Sequence, residues 1–339
     1  MAKGSSDLSA VDAFKQGVVD RLGASIKKAF IDPKNIVYDR FSSGSYLLDD
    51  ELKGGYVKGK HVEFMGESGS GKTSSCAEAV AQFQKKYPKE MIMWFDLENV
   101  LDEDYFNNIG VNIDPDKFIL LRPSTGEEVF EIIREFTKSF KGGLIVIDSV
   151  PLMVPETTME ADFNQANVAA QARLMSKGLE MTMAHVSKSE ATMFFINQLR
   201  VNIGGYGEQN VTKGGKALGY YVRTRIKTSR QNSKGIAGES SGNTFELVKA
   251  NYGNEKKKVE TRIVYGQGID KYSELIDFCT KLDVFEKSGS WFSYKGTKLA
   301  NGKNAFIDVL KDNIEVFEEL EQIVRNHIKQ KYEKRNESN

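Results

Sequence analysis

The chain is poor in the residues that cross-link proteins or bind transition metals. Of its 339 residues, two are cysteine and three are histidine. Cys76 and Cys279 stand far apart and suggest no disulfide framework, so a reducing cytoplasm is the expected compartment. His61, His185 and His327 are scattered and predict no zinc or haem site. With only six prolines, collagen-like and proline-rich low-complexity chains are excluded. Charge of one sign is missing as well: 47 basic and 47 acidic side chains cancel, and bulk charge points to no partner. The apolar run 142–147 is closed by Lys141 and Asp148, far too short to span a bilayer, and no membrane association is expected. Residues 1–22 mix charged and apolar side chains, unlike a leader segment.

What remains is a globular composition, 40% hydrophobic and 28% charged, in a chain long enough for about two domains at roughly 150 residues each. Residues 7–30 carry Leu8, Val11, Phe14, Val18, Leu22, Ile26 and Phe30 at three- and four-residue spacing, which predicts one amphipathic helix stopped by Asp32-Pro33. Apolar runs at 61–65, 91–95, 118–121, 144–147 and 192–196 alternate with helical patterns at 72–87, 103–109, 127–140 and 165–186. Near-continuous apolar strands separated by helices predict a mostly parallel sheet covered on both faces. Strand signals at 221–228, 244–250 and 259–265 are expected to extend it antiparallel. From residue 269 the pattern is helix-rich and reads as a small separate domain. The expected division is 1–33, 34–268 and 269–335.

Chemistry is concentrated at the ends of the strands. Gly66-Glu67-Ser68-Gly69-Ser70-Gly71-Lys72-Thr73 fits the phosphate-binding loop, with a strand before it and a helix after it. Glycines there let backbone N–H groups converge on phosphate oxygens at a helix N-terminus, with Lys72 reaching the β- and γ-phosphates and Thr73 ligating Mg²⁺. Asp148 closes an apolar strand and would share that ion, partly through water. Asp96 and Glu98 both end the second strand; either carboxylate could activate water, and the residues alone do not choose between them. Gln198 ends the fifth strand, where it would stand near the γ-phosphate. Beyond it lie Arg200, Lys213, Lys216, Arg223, Arg225, Lys227, Arg230 and Lys234 against a single acid, Glu208. That stretch is a candidate polyanion surface, although the solvated face of a strand explains part of it equally well.

Together these residues resemble the bacterial RecA recombinase family, in a bacteriophage-encoded or divergent member, from about residue 39 to about 328. The resemblance rests on residues 66–73, Asp96-Leu-Glu-Asn-Val-Leu-Asp102 with Tyr105, Ile147-Asp-Ser149, Phe195-Ile-Asn-Gln-Leu-Arg200, Gly214-Gly215, Tyr265-Gly-Gln-Gly-Ile269 and Trp291-Phe-Ser-Tyr-Lys-Gly296. It implies a RecA-like P-loop ATPase core with an N-terminal polymerisation helix and a small α+β C-terminal domain. It implies Glu98 as the residue that activates water, and nucleotide contacts from residues 66–73 with Ser74, Asp102, Tyr105 and Tyr265. It also implies Gln198 as the link from γ-phosphate to DNA, and Lys249 as a cation offered to the ATP of the next subunit.

Loops about 161–168 and 200–213 would hold single-stranded DNA, with Arg200, Tyr206, Lys213, Gly214 and Gly215 as contacts. The implied activity is a DNA-dependent ATPase that forms a helical filament on single-stranded DNA and pairs it with a homologous duplex. It would use ATP and Mg²⁺, work in the cytoplasm (the host's, if phage-encoded) and take accessory mediators as partners. The competing readings are a hexameric helicase-like motor on the same core and a non-hydrolysing DNA coat. Departures from the family pattern are Asn251 in place of a second lysine, a second DNA loop about one residue shorter, and a basic and polar tail where an acidic one is usual.

Overall fold

The computed structural model of the chain describes residues 9–33, 36–160, 169–201, 210–212, 216–231 and 239–337. These fall into two compact units, one reaching Asp39 and the other starting at Arg40. In the first, α1 (Ala10–Leu22) begins where the Ser9 hydroxyl accepts from the Asp12 N–H, and a 3-10 turn over Ala24–Ala29 follows it. The single helix expected over 7–30 is therefore two pieces. Gly23 separates them at φ 88°, a backbone conformation that no helix contains.

The second unit runs β1 (Arg40–Phe41), α2 (Tyr46–Glu51), β2 (Tyr56–Val57), β3 (Val62–Gly66), α3 (Lys72–Lys86), β4 (Ile92–Asp96), α4 (Glu103–Ile109) and β5 (Phe118–Leu121). It continues with α5 (Gly126–Ser139), β6 (Leu144–Asp148), α6 (Glu156–Met159), α7 (Ala170–Ser189), β7 (Thr192–Val201), β8 (Asn210–Thr212) and α8 (Ala217–Tyr221). Then come β9 (Thr224–Gln231), β10 (Ser240–Ala250), β11 (Lys258–Val264) and β12 (Gly268–Ile269). The main sheet has the order β12-β11-β10-β9-β3-β7-β6-β4-β5, with β8 paired on β7.

Strands β3, β7, β6, β4 and β5 pair in parallel. So does β9 with β3, against the expectation that residues 221–228 would run antiparallel. The Arg223 N–H donates to the His61 carbonyl at 2.8 Å, so β9 enters the sheet beside the start of β3 and runs with it. Antiparallel pairing starts one strand later, at β10, and continues to β11 and β12.

Side-chain alternation divides the sheet's two faces between two hydrophobic cores. Trp94, Val146 and Phe194 pack against α3 and α4 on one face, with Phe83 and Phe106. Their neighbours Met93, Phe95, Ile145, Ile147 and Phe195 pack on the other, with Val129, Phe130, Leu174 and Leu179 of α5 and α7. Both faces are covered, which is why these strands read as unbroken apolar runs.

A third core is built after the sheet by α9 (Lys271–Lys281), the antiparallel β13 (Glu286–Ser288), β14 (Trp291–Tyr294) and β15 (Thr297–Asn301), α10 (Lys303–Asp312) and α11 (Ile314–Glu337). It also takes in Tyr46 of α2, whose hydroxyl donates to Glu321 at 2.9 Å, and Lys331 pairs with Asp50 at 2.6 Å. Among the described residues no helix is long and apolar enough to cross a membrane.

Candidate functional site

The carboxyl ends of β3, β4, β6 and β7 meet at one edge of the sheet, where open α/β sheets place their ligands. β3 stops at Gly66 and α3 starts at Lys72, so residues 67–71 must reverse the chain within one turn. Gly71 makes this possible: it sits at φ 84°, and a Cβ there would lie 2.4 Å from Ile263 Cδ1. No side chain caps the start of α3, which leaves its first N–H groups for an anion.

The turn is braced from the neighbouring strands. Asn243 Nδ2 donates to the Ser70 carbonyl at 2.9 Å, and the Ser241 hydroxyl donates to Asn243 Oδ1 at 2.8 Å. The hydroxyls of Ser70 and Thr228 share a hydrogen bond of 2.7 Å. Lys72 Nζ donates to the Glu67 carbonyl at 2.7 Å. Burial pulls the Lys72 ammonium below its usual range, and the carboxylates of Glu98, Asp148 and Glu67 oppose that.

Asp148 ends β6 nearly buried, and its Oδ2 accepts from the Thr73 hydroxyl at 3.0 Å. Its Oδ1 is buried without a protein partner. Burial, reinforced by the charges of Glu98 and Asp96, raises this carboxyl to about 7 against the bond from Thr73. An orphaned carboxylate oxygen beside a hydroxyl suits a hard divalent cation. Among the described residues no group of three or more His, Cys, Asp or Glu could hold a metal ion. Such a sparse donor set fits Mg²⁺, which keeps several waters and takes other ligands from substrate phosphates.

The two carboxylates of the β4 end are separated by their partners. Asp96 accepts from the Val100 N–H at 3.0 Å and from Arg122 Nη2 at 2.8 Å, so it holds the following turn together. Glu98 instead faces the cleft, where its Oε1 accepts from the Ser149 hydroxyl at 2.7 Å and from Gln198 Nε2 at a longer 3.4 Å. The cleft encloses about 260 Å³; Lys72, Thr73, Glu98, Asp148 and Gln198 line one part of it, and Ser74, Tyr105, Tyr265 and Gly266 another. The Tyr105 hydroxyl donates to Ser74 Oγ at 2.5 Å. Asp102 caps α4, accepting from the Tyr105 N–H at 2.9 Å, and does not itself line the cleft.

Lys249 is not brought to this cleft. Its Nζ donates to the carbonyls of Gly219 and Val222, at 2.9 and 2.8 Å, where α8 ends. The backbone of Arg200 continues β7 and faces Val211 of β8. Tyr206, Lys213, Gly214 and Gly215 lie outside the described residues, as do residues 161–168 and 202–209. Sequence reading quoted Ser149 without giving it a role and singled out none of Thr228, Ser241 and Asn243. One signal for the last two was present: Ser240-Ser-Gly-Asn opens a buried strand with small polar residues that a plain core strand would not carry.

A family model described as the RecA N-terminal domain matches residues 10–270, and one described as the RecA C-terminal domain matches residues 273–329. The chain is similar to Protein RecA of Campylobacter hominis, 37% identical over 94% of this chain and 90% of that protein. It is similar to Protein RecA of Nitratiruptor, 36% identical over 93% of this chain and 94% of the relative. Protein RecA of Mycoplasmopsis pulmonis is 36% identical over 83% of each chain.

Proposed function

The chain belongs to the RecA family of DNA recombinases, and from that premise we propose that its cleft binds and hydrolyses ATP in step with filament assembly on single-stranded DNA. The observation that carries this reading is the position of Gln198. It reaches the same carboxylate oxygen of Glu98 that Ser149 holds, and it stands on β7, which runs on to Val201 at the border of the expected DNA loop.

The N–H groups of the 67–71 turn and the Lys72 ammonium bind the triphosphate, with Asn243 fixing the turn from behind. Thr73 and Asp148 would hold Mg²⁺, which when bound offsets charge between the phosphates. Glu98 takes the proton of the attacking water, and Ser149 and Gln198 orient its carboxylate. Lys249 leaves the α8 carbonyls for the γ-phosphate of the adjacent subunit, while the unit ending at Asp39 docks on a neighbour. Residues 273–329, which match the RecA C-terminal domain, favour a filament over a hexameric motor. The DNA partners are a single strand and its homologous duplex, and the setting is the cytoplasm.

Hydrolysis of ATP with and without single-stranded DNA, together with strand exchange, tests the reading. Lys72→Ala should abolish turnover. Glu98→Gln should lower kcat by about 10²–10⁴-fold, the range for losing a general base, and leave ATP-bound filaments that persist. A parent protein without DNA-stimulated hydrolysis, or a Glu98→Gln variant that turns over at the parent's rate, would overturn it.

A further inference from the structure

Glu78 is a carboxylate buried inside the nucleotide-binding half of the fold, and nothing in the phosphate chemistry uses it. It lies on α3 one turn beyond Ser74, on the same helix face. Its Oε1 accepts from the Ile269 N–H at 2.9 Å, and its Oε2 pairs with Lys271 Nζ at 2.8 Å. The Glu78 side chain is completely buried, while that of Lys271 is 29% exposed. Burial pushes the carboxyl above its usual range, and Lys271 and the Ile269 N–H pull it back.

The backbone is shaped to admit this contact. Gly268 sits at φ 86°, and a Cβ there would lie 2.3 Å from Glu78 Oε1. Glu78 therefore holds the chain at Ile269, three residues beyond Gly266, which with Tyr265 lines the cleft alongside Ser74 and Tyr105. The segment is pinned at its other end where the Tyr265 N–H donates to the Glu239 carbonyl at 2.9 Å. Lys271 is the first residue of α9, so the charge that balances Glu78 comes from the element that opens the C-terminal core.

We infer that Glu78 is a positioning residue for the nucleoside end of the ATP site: it holds the Tyr265–Gly266 wall against the P-loop helix, and through Lys271 ties that wall to the C-terminal domain. The inference rests on ATP occupying the cleft with its triphosphate on the P-loop. The wall then meets the base and sugar and not the phosphates. Loosening it weakens the binding of a nucleoside triphosphate but not of a bare triphosphate chain. Hydrolysis at saturating ATP is unaffected, because Lys72, Glu98 and Gln198 are held by separate contacts.

The test compares the parent with Glu78→Gln, which keeps an acceptor for Ile269 and loses the charge, and with Lys271→Met, which keeps bulk. DNA-stimulated hydrolysis gives KM and kcat for ATP, and inorganic tripolyphosphate is titrated as a competitor. Both variants should raise KM roughly five- to tenfold, the loss of part of one partly exposed ion pair, with kcat and the tripolyphosphate inhibition constant unchanged. Combining them should add little beyond either alone. Unchanged KM, or tripolyphosphate weakened in parallel with ATP, overturns the inference. A parent that hydrolyses no ATP overturns the premise instead, and the two failures are told apart before any variant is made.

Discussion

Replacing Gly178 with alanine sets two effects of known size against each other. Gly178 lies inside α7, where alanine is favoured over glycine by about 1 kcal/mol on helix propensity alone. Against this stands Phe130 of α5: a Cβ on Gly178 would lie 2.2 Å from Phe130 Cδ2 and Cε2 and 2.6 Å from Cζ. Carbon atoms settle about 3.5–4.0 Å apart, so ring and helix must separate by more than an ångström. Phe130 is buried with Val129, Leu174 and Leu179 and cannot swing into solvent. Overpacking of this kind destabilises by about 1–3 kcal/mol, and the size of the overlap places it at the upper end.

The steric effect wins by about 1–2 kcal/mol, which for a folded unit of this size, Arg40–Asn339, lowers Tm by about 1.5–3 °C. Thermal unfolding followed by circular dichroism measures it. The double-mutant cycle supplies the control: in the Phe130→Leu background, which shortens the obstructing side chain, Gly178→Ala should be milder by about 1 kcal/mol. A Gly178→Ala protein that melts at or above the parent's Tm refutes the reasoning. So does an equal loss in both backgrounds, which would place the strain somewhere other than Phe130.

The other expectations concern charge. Burial raises the Glu274 carboxyl from 4.5 to about 7, so across that window the folded chain holds a proton that the unfolded chain releases, and stability falls as pH rises, by at most about 3 kcal/mol. Glu274→Gln carries no charge at any pH and should gain on the parent between pH 5 and pH 8 in urea midpoints; a difference independent of pH would count against the assignment. Lys249→Ala should lose DNA-stimulated ATP hydrolysis while a lone subunit still binds nucleotide, and full stimulated turnover would show that another cation serves the neighbouring site. Arg200→Ala and Lys213→Ala should each weaken single-stranded DNA binding alike for all sequences and reduce its salt slope by about 0.7; an unchanged slope would remove the residue from the phosphate contacts.

Most of the sheet was legible because parallel strands buried on both faces must be apolar throughout. The bounds of α4 agree to the residue with expectation, since Asp102 caps it and Gly110 stops it at φ 96°, and both are punctuation that a sequence displays. The direction of β9 was not legible. It depends on the end of β3 at which the chain re-enters the sheet, and no local pattern records that. The choice between Asp96 and Glu98 could not be made from the residues alone for a similar reason: Arg122, which engages Asp96, lies 26 residues away in sequence. The braces on the phosphate loop come from β9 and β10, strands whose pairing with the loop is purely tertiary.

One strand does two jobs in succession. Over its first residues β7 is clamped between β3 and β6, and the last of its pairings with β3 sets Gln198 opposite Gly66. From the very next residue its partner is β8, with Leu199 opposite Thr212 and Val201 opposite Asn210. No turn or glycine interrupts the passage from Gln198 to Val201. An extended strand rises about 3.3 Å per residue and has almost no slack to take up. β7 therefore carries its backbone from Gln198 at the cleft to Val201, about 10 Å further on, as one extended segment that changes sheet partners without changing direction. Because no joint interrupts the strand, a substitution anywhere from Leu199 to Val201 alters the one continuous stretch of extended backbone that joins the cleft to β8.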